Sequence, residues 1–597
     1  MRKVIGPLAI SSALGLTASL SLGATPASLT IGTSIAGGAY GANGAAGSAN
    51  YVKVQGFPPD MAGAVGGTGG NNFAVQIING YVGMWSLTNT GTTTNASLVT
   101  QETDSQFWTN AGVSIGSYNT PFDPRLIYDS NTQRWFATED SFSQSGYANN
   151  IMLAVSKTSD PTQGWTAFAL PGSLPNAGGS YTGPGTWQGT TYGGGTGTWT
   201  GTVSTNGAWQ GTVGASPAVA SPSRAGAKAG AKASSGSGYF ADFPTLGVSP
   251  GYVTIGANLY PAGSGNDVAT GGAGITIISI PKASLLTTTA TTTGITSSYN
   301  LNPTTYGFTP NAVNDMSTGT TTPSTAYVLG NGGYSGVQQT TITTNAATPV
   351  VSASTYTTFN ETGQTVQQLP QPGTTHTLDG GDSRLSSSLS LVNINGTPLI
   401  WGVQTIGIAG PNNTTVNGLR VFAVAAGNNK PVVDQIFTDT ANPSESLAYG
   451  SLAINTSGQL VLTFNESGGA NGQFVQIRAV AGTFNSSTNS IIFGTPQTLK
   501  ASSTDYYLLD TQDNLNRWGD YSVTAADPNN AGVFYSFAEY ATGAATWGTQ
   551  ITQLTFVPAT AGIAAPSLAV SSVPEPAAIG LIILGGLPLL MRRRAAR

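Results

Sequence analysis

The chain is predicted to be all-β and to fold as a seven-bladed β-propeller, with a multi-sheet β-sandwich as the alternative, on three observations. Only 8% of its 597 residues are charged, and the 39% that are hydrophobic are interleaved with Thr, Ser, Asn and Gly. Such residues favour strands and turns over helix interiors. Turn motifs containing Gly or Pro beside Asp or Ser recur at a spacing near 70. Between them lie hairpins built around Asn-Gly and Ser-Gly, with aromatic residues on the second strand.

The composition also excludes partners and chemistries. A formal charge of −5 offers no basic footprint for nucleic acid, whose binding depends on clustered Lys and Arg. With no cysteine and one histidine, His376, there is no thiolate nucleophile, disulfide or His-rich metal site. Gly and Pro, 80 and 33 residues, stay below the share that marks a disordered low-complexity chain.

From the N-terminus, Met1-Arg2-Lys3 followed by an uncharged apolar run to about Leu22 reads as a secretory signal peptide spanning 1–27. The body is expected over 50–558, followed by a linker over 559–572. Its repeats begin near 60, 123, 242, 312, 382, 451 and 520, marked by Asp60, Asp123, Asp242, the Pro310–Asp315 turn, Asp382, Ser451 and Asp520. The hairpin turns are Asn79-Gly80, Asn395-Gly396, Ser457-Gly458 and Asn529–Gly532. In Asn-Gly both residues accept the positive φ of a type I′ turn. Sheets repeated in a ring cover one another and leave only short edges.

The long step between the second and third repeats holds an insertion over 171–238, expected to project from one face. It repeats Thr186-Trp187-Gln188-Gly189-Thr190, Thr198-Trp199-Thr200-Gly201-Thr202 and Ala208-Trp209-Gln210-Gly211-Thr212, then runs into an Ala/Gly/Ser linker. Trp187, Trp199 and Trp209 are candidate glycan-stacking residues, or anchors of a small β-extension.

At the C-terminus stand Val573-Pro574-Glu575-Pro576, fifteen uncharged residues to Met591, and Arg592-Arg593-Arg594. As a helix the apolar run is about 22 Å long, short of a bilayer core of about 30 Å. The order resembles the PEP-CTERM sorting signal of bacterial envelope proteins, here over 573–597. The resemblance implies recognition and removal of the tail by an exosortase, in a Gram-negative bacterium, after export through the Sec machinery. It implies transient membrane association through the C-terminal helix and delivery to the cell surface or extracellular matrix. The body is also similar to secreted bacterial propellers, through Asp123-Pro124-Arg125, Arg134-Trp135-Phe136, Gly381-Asp382-Ser383-Arg384 and Arg517-Trp518-Gly519-Asp520-Tyr521. With both terminal segments removed, 14 basic residues face 25 acidic ones.

In a propeller the residues that open each innermost strand ring a central channel. Asp123, Arg125, Asp242, Asp382, Arg384, Arg517 and Asp520 are therefore the candidate ligand site at its mouth, or turn anchors and inter-blade ties. No catalytic residue is assigned and no metal or cofactor is expected. Asp379-Gly380-Gly381-Asp382 supplies oxygens a calcium ion could use, but reads first as a turn. The Ser159–Trp165 stretch resembles the Asp-box turn of sialidases only loosely, and His376 is expected to be solvated. The expected role is a non-catalytic structural protein, binding exopolysaccharide or envelope proteins. The alternative is a secreted carbohydrate-active enzyme, sialidase-like or another glycosidase, using Asp and Arg at the channel.

Overall fold

The computed structural model describes residues 25–48, 51–89, 94–115, 120–142, 149–172, 177–182, 185–191, 196–203, 209–213, 239–261, 274–292, 295–317, 325–345, 348–352, 354–360, 363–428, 430–469, 472–510 and 514–560. Residues 1–24 of the expected signal peptide, 561–572 of the linker, Val573, Pro574, Glu575, Pro576 and Arg592–Arg594 lie outside the described residues. Pro26–Ala559 forms one compact unit. The other comprises Met1–Thr25 and Thr560–Arg597, in which Thr25 and Thr560 exchange backbone hydrogen bonds of 3.2 Å.

The fold is a β-propeller. Antiparallel meanders follow one another along the chain, each running from an inner to an outer strand. The first is Ala62–Thr68, Asn71–Ile78, Tyr81–Asn89 and Thr94–Glu102. The second is Thr120–Asp129, Arg134–Phe142, Asn150–Ser156 and Trp165–Pro171. The third is Tyr239–Val248, Tyr252–Pro261, Gly274–Pro281 and Thr296–Leu301. Inner strands Phe308–Asp315, Leu389–Ile394 and Ser446–Ile454 open the next three. The last meander, Val523–Ala526, Val533–Gly543 and Thr546–Val557, takes its outer strand from the opposite end of the chain, Ser28–Ala39. The expected start of the body near residue 50 therefore moves back to Pro26: the closing strand lies in a segment with no repeat of its own.

Inner strands contact their neighbours in chain order, and the last returns to the first, which closes the ring. Apolar clusters fill the spaces between consecutive sheets. Ala64, Met84 and Trp135 join the first two, and Ile275 and Ile277 meet Val328 and Ile342 between the third and fourth. Val461 and Ala479 meet Phe534 and Leu554 farther round, and Val65 and Trp85 pack with Trp547 and Ile551 at the closure. Because both faces of a sheet are covered, strands such as Asn71–Ile78 are buried along nearly their whole length.

Two local expectations change. The insertion continues the third sheet: Ala177–Thr182 pairs with Thr296–Leu301, and Gly185–Thr191, Thr196–Val203 and Trp209–Val213 follow in antiparallel order. The outer strand of that sheet has a free edge, and the Thr-rich repeats extend it rather than projecting from a face. At Asn79-Gly80 only Gly80 has positive φ, whereas Asn395 and Gly396 both do. Asn79 is held instead by its side chain, which donates to Pro58 O and Asp60 Oδ2 and accepts from the Asp123 N–H.

Candidate functional site

The channel mouth is shaped by one recurring backbone device. Where the inner strands begin, a residue adopts positive φ: Asp60 (41°), Asp123 (57°), Phe243 (57°), Thr309 (50°), Gly381 (76°) and Tyr449 (52°). Four of these sit within a register shift, at Phe122/Arg125, Asp242/Thr245, Phe308/Asn311 and Ala448/Ser451. Such bulges re-aim side chains at barrel rims. Here they turn side chains that would alternate between two sheets toward the axis. From Phe243 through Thr309 and Gly381 to Tyr449 the positive-φ positions step by 66, 72 and 68 residues, which is the sequence repeat near 70.

Six of the seven candidate residues come together with groups the repeat had marked only as turns. Asp60 accepts the Asp520 N–H at 2.7 Å and the Asn79 amide at 2.7 Å. Burial, then the Asp520 charge, push its carboxyl up to about 7 against the pull of Arg517. Asp123 is buried and held well above the carboxylate range, first by burial, then by Asp60, Asp242, Asp520 and Asp140. Asp242 is half-buried, and its carboxyl is pushed up to about 6 by burial, opposed by Arg384 and Arg517. Arg517 Nη2 lies 3.3 Å from Asp520 Oδ1, and Arg384 Nε lies 2.8 Å from Asp382 Oδ2. Asp520 and the Asp382–Arg384 pair line a small hollow together with Phe243, Gly381 and Tyr449.

Arg125 does not belong to the open mouth. It is 4% exposed, and its guanidinium lies 3.5 Å from the centre of the Tyr521 ring and 4.9 Å from that of Phe243. Its Nε donates to Pro244 O and its Nη1 to Ser386 O, both at 2.9 Å, while Tyr521 Oη donates to Pro124 O. It ties four sheets together below the hollow, because the bulge at Asp123 turns it inward.

Several axial groups were not foreseen. Asp140, in the second strand opposite Phe122, is fully buried, and neither carboxylate oxygen has a hydrogen-bond partner among the described residues. Burial and then Asp242 hold its proton affinity well above the usual range. Its neighbour Glu139 faces the other side, bonded to Trp108 Nε1. Glu539 accepts the Gly519 N–H at 2.9 Å and is raised chiefly by burial. The available signal was two adjacent acids, Glu139 and Asp140, inside the strand Arg134–Phe142 of a chain with only 25 acids.

The other motifs resolve into local structure. Asp379 Oδ1 accepts the Gly381 N–H and Asp382 Oδ1 the Arg384 N–H, so the calcium candidates close turns. Among the described residues no three His, Asp or Glu converge on a metal-sized point. Asp160 caps a short helical turn and Trp165 donates to Pro161 O. His376 stacks on Tyr507 at 3.8 Å, with Nδ1 3.7 Å from Asp505 Oδ2. Trp187 stands opposite Trp199 in the extension, and Trp209 opposite Val203.

No protein-family model and no curated protein matches the sequence. Solved structures similar to the chain include an α-L-arabinanase from Penicillium chrysogenum, with 10% identity over 87% of this chain and 98% of that one and a TM-score of 0.32. They also include the NanB sialidase of Streptococcus pneumoniae (10%, 89% and 94%, 0.31) and an α-L-arabinofuranosidase from Fusarium graminearum (8%, 83% and 92%, 0.32). These three neighbours are an arabinanase, a sialidase and an arabinofuranosidase, against the expectation that the chain is not an enzyme, and that expectation is not carried further. The channel's carboxyl groups were undercounted in the sequence because Asp140 and Glu539 lie inside strands, away from the repeat markers.

Proposed function

We propose that the chain is an exported carbohydrate-active hydrolase working at the channel mouth. The observation that carries this reading is two unlike carboxyl groups within electrostatic reach of each other, Asp520 lining the hollow and Asp242 next in sequence to the lining Phe243. Asp242 has its proton affinity raised to about 6, while Asp520 is ion-paired with Arg517. Glycoside cleavage needs one carboxyl group that delivers a proton to the departing oxygen and a second, anionic one across the sugar ring. Asp242 takes the first role and Asp520 the second. Arg517 keeps positive charge beside Asp520, and Asp60 holds the Asp520 backbone in place through its 2.7 Å hydrogen bond. Phe243 supplies an apolar ring beside them.

The terminal segments support the delivery part of the proposal. A basic, apolar N-terminus and the ordered Pro-Glu-Pro, apolar and triple-arginine C-terminus suit export, processing by an exosortase and release at the cell surface. The substrate is then a surface or matrix polysaccharide.

A panel of plant, microbial and host polysaccharides, read by reducing-end release, tests the activity. Expected is turnover of at least one member by the full chain, lost on Asp242→Asn and on Asp520→Asn with melting temperature retained. Turnover that survives both substitutions overturns the assignment. Mass spectrometry of the protein from its native host tests processing: tails still carrying Arg592–Arg594 on most molecules remove the sorting proposal.

A further inference from the structure

Arg384 is held on two sides and open on the third. One face of its guanidinium lies over the Phe243 ring, 4.7 Å from ring centre to Cζ. Its Nε edge is taken by Asp382, at 3.0 Å to Oδ1 and 2.8 Å to Oδ2, and Asp382 Oδ1 also accepts the Arg384 backbone N–H at 2.7 Å. The terminal Nη1 and Nη2 have no hydrogen-bond partner among the described residues, and the side chain is 24% exposed on the hollow. Asp520 and the Tyr260 phenol stand within electrostatic reach. Asp520 is already engaged by Arg517. The open edge therefore presents two parallel N–H donors that fit a carboxylate in bidentate fashion. Beside it the hollow is lined by Ser386, Thr405 and Phe243, residue types that suit the hydroxyls and apolar face of a sugar.

We infer that the hollow selects a sugar unit bearing a carboxylate, held bidentately by Nη1 and Nη2 of Arg384. This rests on the hydrolase reading for its location and sharpens it to acidic glycans. Asp382 acts as a positioning residue that fixes the guanidinium plane.

The test is calorimetric binding at pH 7 to the full chain, where a sugar carboxylate is ionised. The probes are tri-galacturonate, tri-glucuronate and sialyl-lactose, with arabinotriose and lactose as neutral controls. Expected is a preference of about tenfold or more for one acidic probe over its neutral counterpart, the worth of one charge-assisted contact. Arg384→Gln should abolish the preference while keeping neutral-sugar binding, and Arg384→Lys should restore part of it. The acidic probe that binds distinguishes a uronate from a sialyl source. Equal binding of acidic and neutral probes, or a preference that survives Arg384→Gln, overturns the inference. The same titrations on Asp242→Asn separate the two proposals. Preference without turnover in the unsubstituted chain leaves the binding inference standing and removes the hydrolase, whereas turnover confined to neutral glycans does the reverse.

Discussion

Asp60 accepts the backbone N–H of Asp520 at 2.7 Å across 460 residues of sequence, joining the start of the first sheet to that of the last. The ring is thus closed twice. At the rim Ser28–Ala39 completes the last sheet by pairing with Thr546–Val557, and at the axis this one carboxylate bridges the two ends. Replacing Asp60 by Ala leaves both the Asp520 N–H and the Asn79 amide without their acceptor. Each buried unmet donor costs about 1–3 kcal/mol, so the loss should be about 2–4 kcal/mol in urea unfolding. Asp60→Asn keeps an acceptor oxygen and should lose about half as much. Equal losses for the two variants would show that the axial bridge contributes nothing specific.

The proton on Asp242 sets a pH limit for the proposed reaction. Its carboxyl is raised to about 6, so the protonated form needed to assist the leaving oxygen is depleted above that pH. kcat/KM should fall about tenfold per unit on the alkaline side, with the limb centred near 6. Arg384 favours the ionised form, so its loss raises the proton affinity of Asp242 and should move the limb to higher pH even as the rate falls. A limb that stays fixed in Arg384→Gln would assign the titration to another group.

A second buried acid pair, away from the channel, bears on stability. Glu466 and Glu445 share a hydrogen bond among Asp439, Asn442 and Arg478. Arg478 Nη2 lies 3.1 Å from Asp439 Oδ2, and Arg478 Nε 3.5 Å from Glu466 Oε2. Burial first, then the Glu445 hydrogen bond, push Glu466 up to about 8 against the pull of Arg478. A carboxyl whose proton affinity is higher folded than unfolded contributes its stability in full below pH 4.5 and loses it as pH rises through 8. Unfolding free energy measured in urea should therefore decline from pH 5 to 8, and more shallowly in Glu466→Gln. An unchanged slope in that variant would place the dependence elsewhere, with Asp60 and Asp242 as the next groups of the same sign.

Much of this architecture was legible in the sequence, and the parts that were not share a physical cause. Of the repeat markers, Asp123 and Asp242 fall at register shifts of inner strands, and Asp60, Asp382 and Asp520 fall in the turns that precede them. Low charge content was equally readable, since strands covered on both faces have little room for ions. Arg125 shows the limit: its place in the sequence is that of a mouth residue, yet a bulge one position earlier decides that it points into the stack of Phe243 and Tyr521. Asp140 was invisible for the opposite reason, being an acid inside a strand whose channel neighbours, Asp123 and Asp242, come from other strands. The closing strand Ser28–Ala39 carries no repeat signal because its partner is more than 500 residues away.

Close approach of neighbouring sheets near the axis yields a last expectation. Gly256 lies opposite Thr245 in the third sheet, and a Cβ there would stand 1.9 Å from Pro310 O on the inner strand of the fourth. Thr245 Oγ1 donates to that same carbonyl at 2.6 Å, so the oxygen is fixed from two sides and has nowhere to retreat. Gly256 does not have positive φ, and any penalty for alanine is steric overpacking, roughly 3 kcal/mol. Gly333 provides the contrast: its φ is +76°, but a Cβ would meet nothing within 4 Å, so alanine should cost only about 1 kcal/mol from backbone conformation. Chemical denaturation of Gly256→Ala and Gly333→Ala measures the two costs. If Gly333→Ala is the more damaging, backbone conformation rather than sheet spacing limits what this ring of inner strands can accept.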